Sequence, residues 1–327
     1  MRAIVITKPG GPDVLQLQEV AEPQPSADEI LVSVRATALN RADLLQRRGY
    51  YPPPPGVRQD ILGLEFAGEV EAVGNKVTAF KCGDRVMGLL SGEGYAEKIV
   101  THERMAMPMP KNLSFAEAAA IPEVFLTAYD AIFLQLGLSL GEQILVHAVG
   151  SGVGIAALQL AKVAGATVFG TASSEAKLAK AKALGLDFAI NYKTRDFEEI
   201  VLAETQGQGV NAILDVVGAA YWDKNLACLA TKGRMILVGL LGGAKVEANL
   251  GTILRKRLRI LGTTLRARPS EEKIALTQAF QKHVLPLLAS AKIKSVIDRT
   301  FALEEAAKAH TYMEANKNFG KIVLQVR

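Results

Sequence analysis

The sequence predicts an α/β protein that combines a doubly wound parallel sheet with a mostly antiparallel, barrel-like β domain. Three observations support this fold class. Short apolar stretches broken by turn-forming residues fill the first 120 residues, strand and helix patterns alternate from residue 142 to 264, and a glycine-rich turn joins the first alternating strand to its helix. Such alternation is typical of a parallel sheet that helices cover on both faces.

The first region is divided into short strands by glycine and proline. Residues 10–12 and the proline run at 52–55 are turn signals. Between such turns the apolar stretches predict five short strands, at residues 3–6, 29–36, 68–73, 85–87 and 95–100. Ser114 and Glu117 then have the spacing of a capping box, which predicts that a helix begins there.

The second region alternates between strand patterns and helix patterns. Strand patterns occupy residues 143–148, 167–171, 188–190, 211–216, 234–239 and 259–263, and helix patterns occupy 152–164, 174–184, 197–205 and 221–230. After Pro269 we expect a helix at 271–288, a strand at 296–298, a helix at 303–314 and a strand at 321–325. A lone final strand needs a sheet to join, so we expect the tail to return to the first domain.

Composition limits the classes of function. The 327 residues correspond to about two domains, and 49% hydrophobic with 22% charged residues exclude a mainly disordered chain. The net charge of +5 is spread along the chain, whereas nucleic-acid binders usually concentrate basic residues in a stripe. We therefore expect no nucleic-acid partner, and the mild positive balance suits an anionic small molecule.

Cysteine usage and hydropathy bear on the compartment. Cys82 and Cys228 lack C-x-x-C spacing, which excludes a disulfide framework and a cysteine-rich zinc lobe. Free thiols fit a reducing compartment, and the N-terminus lacks the apolar core of a signal peptide, so we expect a cytoplasmic protein. Residues 143–161 are uncharged but contain three glycines and a histidine. We interpret them as strand, turn and buried helix, and expect no membrane association.

The turn at residues 149–154 has the features of an anion site. It follows a strand and leads directly into a helix, whose unpaired N–H groups and dipole attract negative charge. The spacing departs from G-x-G-x-x-G because Ile155 occupies the third place. The strand before and the helix after favour nucleotide binding over a tight packing turn.

The charge beyond the second strand indicates which dinucleotide is bound. NAD binders carry an acid about 20 residues after the turn, but residues 170–174 contain none. Lys177 lies in the first turn of the next helix, where a cation is disfavoured unless an anion such as a 2′-phosphate lies nearby. Tyr192 follows the third strand at the same edge. We therefore predict NADPH rather than NADH, the alternative being that Lys177 is an ordinary solvated lysine.

Several motifs together resemble a known family. They are residues 38–43 (Ala-Leu-Asn-Arg-Ala-Asp), 62–68, 119–122, 126–129, 151–154 and 318–323. Over its whole length the sequence resembles the zinc-free quinone oxidoreductase (zeta-crystallin-like) branch of the medium-chain dehydrogenase/reductase superfamily. The pair Tyr50–Tyr51 before the proline run resembles the stress-inducible NADPH:quinone reductases.

The resemblance implies an architecture and an assembly. It implies a GroES-like β-barrel catalytic domain at residues 1–123 and 266–327, with a Rossmann domain for NADPH at residues 124–265. It also implies a homodimer joined through the edge strands of the Rossmann sheet.

The resemblance also implies roles for individual residues. Tyr51 would lie over the nicotinamide and donate a hydrogen bond to a quinone oxygen, the alternative being an aromatic wall. Asn40 would orient the nicotinamide, and Thr127, at the start of a helix, would contact the coenzyme. The other coenzyme contacts would be Ser151, Gly152 and Val153 at the diphosphate, Ser173, Lys177 and Tyr192 at the 2′-phosphate, and Leu240, Leu265 and Asn318 at the nicotinamide half. Val217 and Gly218 end a strand at the carboxyl edge of the sheet, where ligands bind, and Arg41 and Arg266 are candidate donors to the substrate.

No metal site is expected. Zinc-dependent relatives carry a cysteine in the segment around Asn40 and a histidine where Leu64 stands. A catalytic zinc needs about three converging ligands, and the histidines are scattered; His147 is better interpreted as a hydrogen-bonded core residue. Glu65 is either a remnant of the metal site or a structural carboxylate.

The expected chemistry needs no Lewis acid. Hydride addition to a quinone or an α,β-unsaturated carbonyl gives a delocalised oxyanion that hydrogen-bond donors stabilise. Together with this chemistry, the resemblance implies NADPH-dependent reduction of a small-molecule quinone in a mainly apolar cleft. Two alternatives stay open: an enone or enoyl-thioester reductase on the same scaffold, and an NADPH-binding redox or RNA-binding module with weak catalysis.

Overall fold

A computed structural model describes residues 1–326, which form two compact units. Unit 1 contains residues 1–126 and the segment from Leu265 onwards, and unit 2 is Thr127–Thr264. The contacts thus divide the chain three residues after the first boundary expected from the sequence and one residue before the second.

The elements are numbered in chain order. The strands are β1 (Arg2–Ile6), β2 (Leu15–Glu19), β3 (Glu29–Ala38), β4 (Glu65–Val73), β5 (Arg85–Leu89), β6 (Lys98–His102), β7 (Ala106–Pro108), β8 (Gln143–Val146), β9 (Thr167–Ala172), β10 (Phe188–Asn191), β11 (Val210–Asp215), β12 (Leu229–Leu237), β13 (Arg259–Gly262), β14 (Ile297–Ala302) and β15 (Lys321–Gln325). The helices are α1 (Arg41–Arg47), α2 (Phe115–Ala119), α3 (Pro122–Tyr129), α4 (Gly152–Val163), α5 (Glu175–Lys182), α6 (Phe197–Glu204), α7 (Trp222–Cys228), α8 (Leu250–Lys256), α9 (Ser270–His283), α10 (Leu285–Ala289) and α11 (Ala306–Glu314).

Unit 1 is built around the long strand β3. This strand pairs antiparallel with β4, β6 and β15 in a sheet of order β14-β15-β3-β4-β5-β7, and β1 and β2 form a separate antiparallel pair. Alternate side chains of these strands form one apolar core that includes Ile30, Phe66 and Leu324. Because β15 pairs with β3, the expected return of the tail to the first domain is confirmed.

Unit 2 is a six-stranded parallel sheet of order β10-β9-β8-β11-β12-β13. The chain moves outwards from β8 through β9 to β10 and then returns to the other side of β8 with β11. The carboxyl end of β8 is therefore the topological switch point, where open α/β sheets bind ligands. The turn at residues 149–154 follows β8 at this position.

Several local expectations are corrected. The helix expected over 271–288 is two helices, because Pro286, the second residue of α10, cannot donate the hydrogen bond that would continue α9. The strand expected at 95–100 begins at Lys98, and the helix expected to reach residue 230 ends at Cys228. Thr127 is the sixth residue of α3 and does not begin a helix.

The sequence patterns also missed short elements. Strands β2 and β7 and helices α1 and α8 have three to seven residues each. Elements of this length depend on tertiary packing more than on their own propensity. Within residues 1–326, no helix combines the length and apolarity needed to cross a bilayer.

Candidate active site

The turn after β8 is shaped as a cradle for an anion. Ser151 is the N-cap of α4, and its Oγ accepts a hydrogen bond from the amide of Gly154 at 3.1 Å. A Cβ on Gly154 would lie 2.4 Å from the carbonyl oxygen of Ala148, so only glycine lets the helix approach the turn this closely. The N–H groups of Gly152 and Val153 have no acceptor inside the helix. A dinucleotide diphosphate fits these donors and the positive end of the helix dipole.

His147, the residue between β8 and this turn, is held in place by two side-chain contacts. The imidazole is fully buried, with Nδ1 3.0 Å from Oγ1 of Thr171 and Nε2 2.7 Å from Oδ1 of Asn225. Because the amide oxygen only accepts, Nε2 carries the hydrogen. Burial lowers the pKa of His147 to about 4, so the ring is neutral. The interpretation of His147 as a hydrogen-bonded core residue is confirmed.

The residues expected at the 2′-phosphate lie at one edge of the sheet. Ser173 follows β9, Tyr192 follows β10, and these strands pair in register at their carboxyl ends. Lys177 is the third residue of α5, whose N-cap Ser174 accepts a hydrogen bond from the amide of Lys177. The first-turn acid Glu175 accepts a hydrogen bond from the side chain of Asn191 at 2.9 Å.

The loop after β11 is organised by a residue that sequence reasoning missed. Asp215 is fully buried, and its carboxylate accepts hydrogen bonds from the amides of Val217 and Gly218 at 2.6 and 3.1 Å. Burial raises the pKa of this carboxyl group. The backbone at residue 218 has a φ of +80°, a conformation that favours glycine. Both amides are engaged by Asp215, so a coenzyme would contact this loop by other groups. Leu240, three residues after β12, is 51% exposed.

In unit 1, the carboxylate of Glu65 is the centre of a buried cluster. Its Oε1 accepts hydrogen bonds from Nδ2 of Asn40 at 2.8 Å and from Nζ of Lys321 at 2.7 Å. Its Oε2 accepts one from the amide of Glu123 at 2.8 Å. Lys321 also donates to the carbonyl of Leu39 and to Oδ1 of Asn40, each at 2.7 Å. Glu65 is thus a structural carboxylate held by an ammonium group. The side-chain amide of Asn40 is fixed through both its nitrogen and its oxygen.

A second chain of polar groups fixes the backbone of Asn40. The carboxylate of Asp43 accepts hydrogen bonds from the backbone amide of Asn40 at 2.7 Å and from the hydroxyl of Tyr95 at 3.0 Å. The hydroxyl oxygen of Tyr95 lies 3.3 Å from Nε2 of His310. The other ring nitrogen of His310, Nδ1, lies 3.1 Å from the guanidinium of Arg47. Because Arg47 only donates, Nε2 of His310 carries the hydrogen and donates to Tyr95. The chain therefore runs in one direction, towards Asp43.

Arg266 fixes the loop that carries Tyr51. Its guanidinium donates to the carbonyl oxygens of Ser91 and Tyr51 at 2.7 and 3.2 Å and to the side chain of Gln46 at 2.6 Å. It also lies over the ring of Tyr51, 5.3 Å from its centre. Burial raises the pKa of the Tyr51 hydroxyl, and the charge of Arg266 opposes this rise. Three of the five N–H groups of Arg266 are engaged in this way. Arg266 therefore positions Tyr51, and its role as a donor to the substrate stays a prediction.

The remaining expected residues of unit 1 are engaged to different degrees. Arg41, the other candidate donor, makes a hydrogen bond to Asn316. Leu265 is buried, and the side chain of Asn318 donates to the carbonyl of Gly320 at 2.9 Å. Within residues 1–326, no three histidine, cysteine, aspartate or glutamate side chains are arranged to hold a metal ion.

Sequence reasoning missed Lys321, Asp43 and Glu123 as members of the site. Lys321 was interpreted only as the start of the last strand and as part of the motif at 318–323, and Asp43 only as part of the motif at 38–43. Glu123 follows the motif at 119–122 and was given no role. The signal that could have found Lys321 is a lysine at the start of an otherwise apolar strand.

Two family models cover most of the chain. An alcohol dehydrogenase GroES-like domain matches residues 26–127, and a zinc-binding dehydrogenase domain matches residues 152–282. Together with the barrel-like unit 1 and the parallel sheet of unit 2, these matches define an α/β oxidoreductase with a GroES-like and a Rossmann domain.

Whole-chain comparisons narrow the class. The chain is 36% identical over 320 residues to a quinone oxidoreductase of Pseudomonas aeruginosa, covering 96% of both chains. The crystal structure of Escherichia coli quinone oxidoreductase complexed with NADPH has a TM-score of 0.89 and 32% identity, over 99% of this chain and 100% of that one. The CurK enoyl reductase has a TM-score of 0.88 and 30% identity, over 100% and 99%. The chain belongs to the zeta-crystallin-like quinone oxidoreductase branch of the medium-chain dehydrogenase/reductase superfamily.

Proposed function

We propose that this protein catalyses the NADPH-dependent reduction of quinones without a metal ion. The observation that carries the proposal is the buried pair of Glu65 and Lys321, in which an ammonium group meets the carboxylate at 2.7 Å. An ammonium group already neutralises this carboxylate, so we propose that hydrogen-bond donors stabilise the charge that develops on the substrate. Such donors are sufficient for a quinone, because the charge that develops during its reduction is delocalised.

The coenzyme supplies a hydride when it is bound. The amides of Gly152 and Val153 and the cap Ser151 would hold its diphosphate, and Ser173, Lys177 and Tyr192 its 2′-phosphate. Thr127, Val217, Gly218, Leu240, Leu265 and Asn318 stay proposed coenzyme contacts. Asn40, fixed by Glu65 and Lys321, would orient the nicotinamide. The NADPH complex of the E. coli relative supports this choice of coenzyme.

Tyr51 is proposed to stabilise the substrate oxygen. Its side chain is half-buried, on a loop held by Arg266 through the backbone carbonyl and the ring face. A hydroxyl held in this way is a preorganised donor, which loses little entropy when it binds an oxyanion.

A steady-state screen tests the proposal. NADPH and NADH are each combined with 9,10-phenanthrenequinone, 1,4-benzoquinone and crotonyl-CoA, with and without EDTA. We expect turnover of the quinones with NADPH that EDTA leaves unchanged. Absence of turnover with every quinone, or a loss on chelation that zinc restores, would contradict it.

Reduction of an enoyl thioester is the second candidate. The CurK enoyl reductase covers the whole chain at 30% identity, which favours this reading over the binding module. Crotonyl-CoA turnover faster than quinone turnover would select it.

We also propose a cytoplasmic homodimer joined through the Rossmann edge. Strand β13 is the last strand of the parallel sheet, so one of its edges is unpaired within residues 1–326. Close by in sequence, Leu241, Leu250 and Leu254 are 66%, 70% and 79% exposed. Apolar side chains beside an open strand edge are typical of an interface.

A further inference from the structure

A quinone that has taken up a hydride carries a negative charge on one oxygen and needs one proton to become a hydroquinone. We propose that Glu123 supplies this proton as a carboxylic acid, an inference that rests on the proposed quinone reduction. The O–H bond of the carboxyl group breaks, a new O–H bond forms on the quinone oxygen, and the carboxylate is later reprotonated from water.

The position of Glu123 is fixed by its backbone. Glu123 is the second residue of α3, and its amide donates to Oε2 of Glu65 at 2.8 Å. This bond ties it to the carboxylate that also holds Asn40 and Lys321. The side chain of Glu123 therefore extends from the cluster that contains Asn40, the residue proposed to orient the coenzyme.

The cluster around Glu123 contains several titratable and charged groups. Those that interact electrostatically with its carboxyl group are Glu65, Lys321, Asp43, Arg266, Lys273 and Tyr51. Most of them are engaged. Lys321 and Arg266 each make three hydrogen bonds, and Lys273 donates to the hydroxyl of Ser91 at 2.6 Å.

Only two members of this cluster, Tyr51 and Glu123, are partly exposed. Glu65 and Asp43 are 0% and 1% exposed, whereas Tyr51 and Glu123 are half-buried. Within residues 1–326, no group makes a hydrogen bond or ion pair to the carboxylate of Glu123. Its proton is therefore available to a ligand.

The acidity of the two candidates separates their roles. Burial and the neighbouring charge of Glu65 raise the pKa of Glu123 to about 8, so the carboxyl group keeps its proton at neutral pH. Burial raises the pKa of Tyr51 above its ordinary value near 10. A general acid works best with a pKa near the operating pH. Glu123 therefore transfers the proton, while Tyr51 holds the oxygen by a hydrogen bond.

The variant Glu123→Gln tests this inference in the full-length protein with NADPH and 9,10-phenanthrenequinone. Wild-type kcat should fall as the pH rises above about 8. Glu123→Gln should lower kcat about 100-fold at pH 7 and abolish this fall, since general acids contribute roughly 10²–10⁴-fold. Added imidazolium should raise the rate of the variant in proportion to its concentration, which no structural role would produce. The exposed Glu19→Gln is the matched control and should behave as wild type.

Two further measurements do not depend on turnover. The NADPH Kd of Glu123→Gln, from coenzyme fluorescence, should stay within twofold of wild type. Since the folded-state pKa of Glu123 is raised, wild-type Tm should fall relative to the variant as the pH rises from 5 to 9. A kcat within threefold of wild type, a retained fall at high pH, or absence of rescue would overturn the role of Glu123. Absence of quinone turnover in the wild type would instead overturn the proposed function, and the inference with it.

Discussion

Lys321 and Glu65 form an ion pair that is withdrawn from water, with Nζ 2.7 Å from Oε1 and side chains that are 4% and 0% exposed. The two residues are 256 positions apart in the sequence. The ammonium group also bonds to Asn40, so one pair holds the end of β3, the start of β4 and the start of β15 together.

Removing one partner of this pair should be costly. Lys321→Met leaves the Glu65 carboxylate buried without a cation, and we expect a loss of about 3–5 kcal/mol in the free energy of unfolding. Urea unfolding at pH 7 measures this loss. The double variant Glu65→Gln/Lys321→Met should recover most of it, because no uncompensated charge remains. Equal losses in the single and double variants would show that the charge is unimportant.

Asp43 should make stability depend on pH. It is 1% exposed, and burial raises its pKa from 3.8 to about 6. Because the folded-state value is raised, the stability that Asp43 contributes is present below about pH 4 and lost as the pH rises through about 6. Relative to Asp43→Asn, wild type should lose on the order of 3 kcal/mol between pH 4 and 8. Urea unfolding across this range is the measurement, with the exposed Asp13→Asn as control. A difference that does not change with pH would contradict the prediction.

The hydroxyl of Tyr51 should affect kcat. Tyr51→Phe keeps the ring against Arg266 but removes the donor, so we expect kcat with quinones to fall about tenfold, the value of a hydrogen bond of roughly 1.4 kcal/mol. The NADPH Kd should not change. Tyr50→Phe is a matched control, because its side chain is 77% exposed. Unchanged kcat in Tyr51→Phe would show that the ring is only an aromatic wall.

Lys177 should distinguish the two coenzymes. We expect Lys177→Ala to raise the KM for NADPH about tenfold, because a partly exposed charge pair with phosphate contributes roughly 1–2 kcal/mol, and to leave the KM for NADH unchanged. Steady-state kinetics with both coenzymes measure the difference. Lys182→Ala, at the other end of α5, is the control. An unchanged KM for NADPH would remove Lys177 from the 2′-phosphate site.

The proposed dimer should depend on Leu254. Its side chain on α8 is 79% exposed, and Leu254→Lys would place a charge in the interface, so we expect the dimer to dissociate. Sedimentation velocity at micromolar protein gives the mass directly. Leu140→Lys is the control, because Leu140 is 84% exposed but distant in sequence from β13. A wild-type monomer, or a dimer that survives Leu254→Lys, would contradict the assembly.

Local patterns predicted much of unit 2. The strand β8, the turn at residues 149–154 and the helix α4 were expected almost at their observed bounds, because apolar periodicity and helix capping are properties of neighbouring residues. Helix α1 was not expected. It has seven residues, and its capping box joins Asn40 to Asp43, a carboxylate that is buried only by the tertiary structure.

By itself, the sequence determined the alternating sheet, the capped glycine turn before α4 and the family, since each depends on spacing that can be read along the chain. The tertiary structure alone decided which charges are buried together. Neither the pairing of Glu65 with Lys321 nor the chain from Arg47 through His310 and Tyr95 to Asp43 leaves a local pattern, because their members come from distant segments. The cost of burying a charge is met only when the folded chain brings its partner into contact.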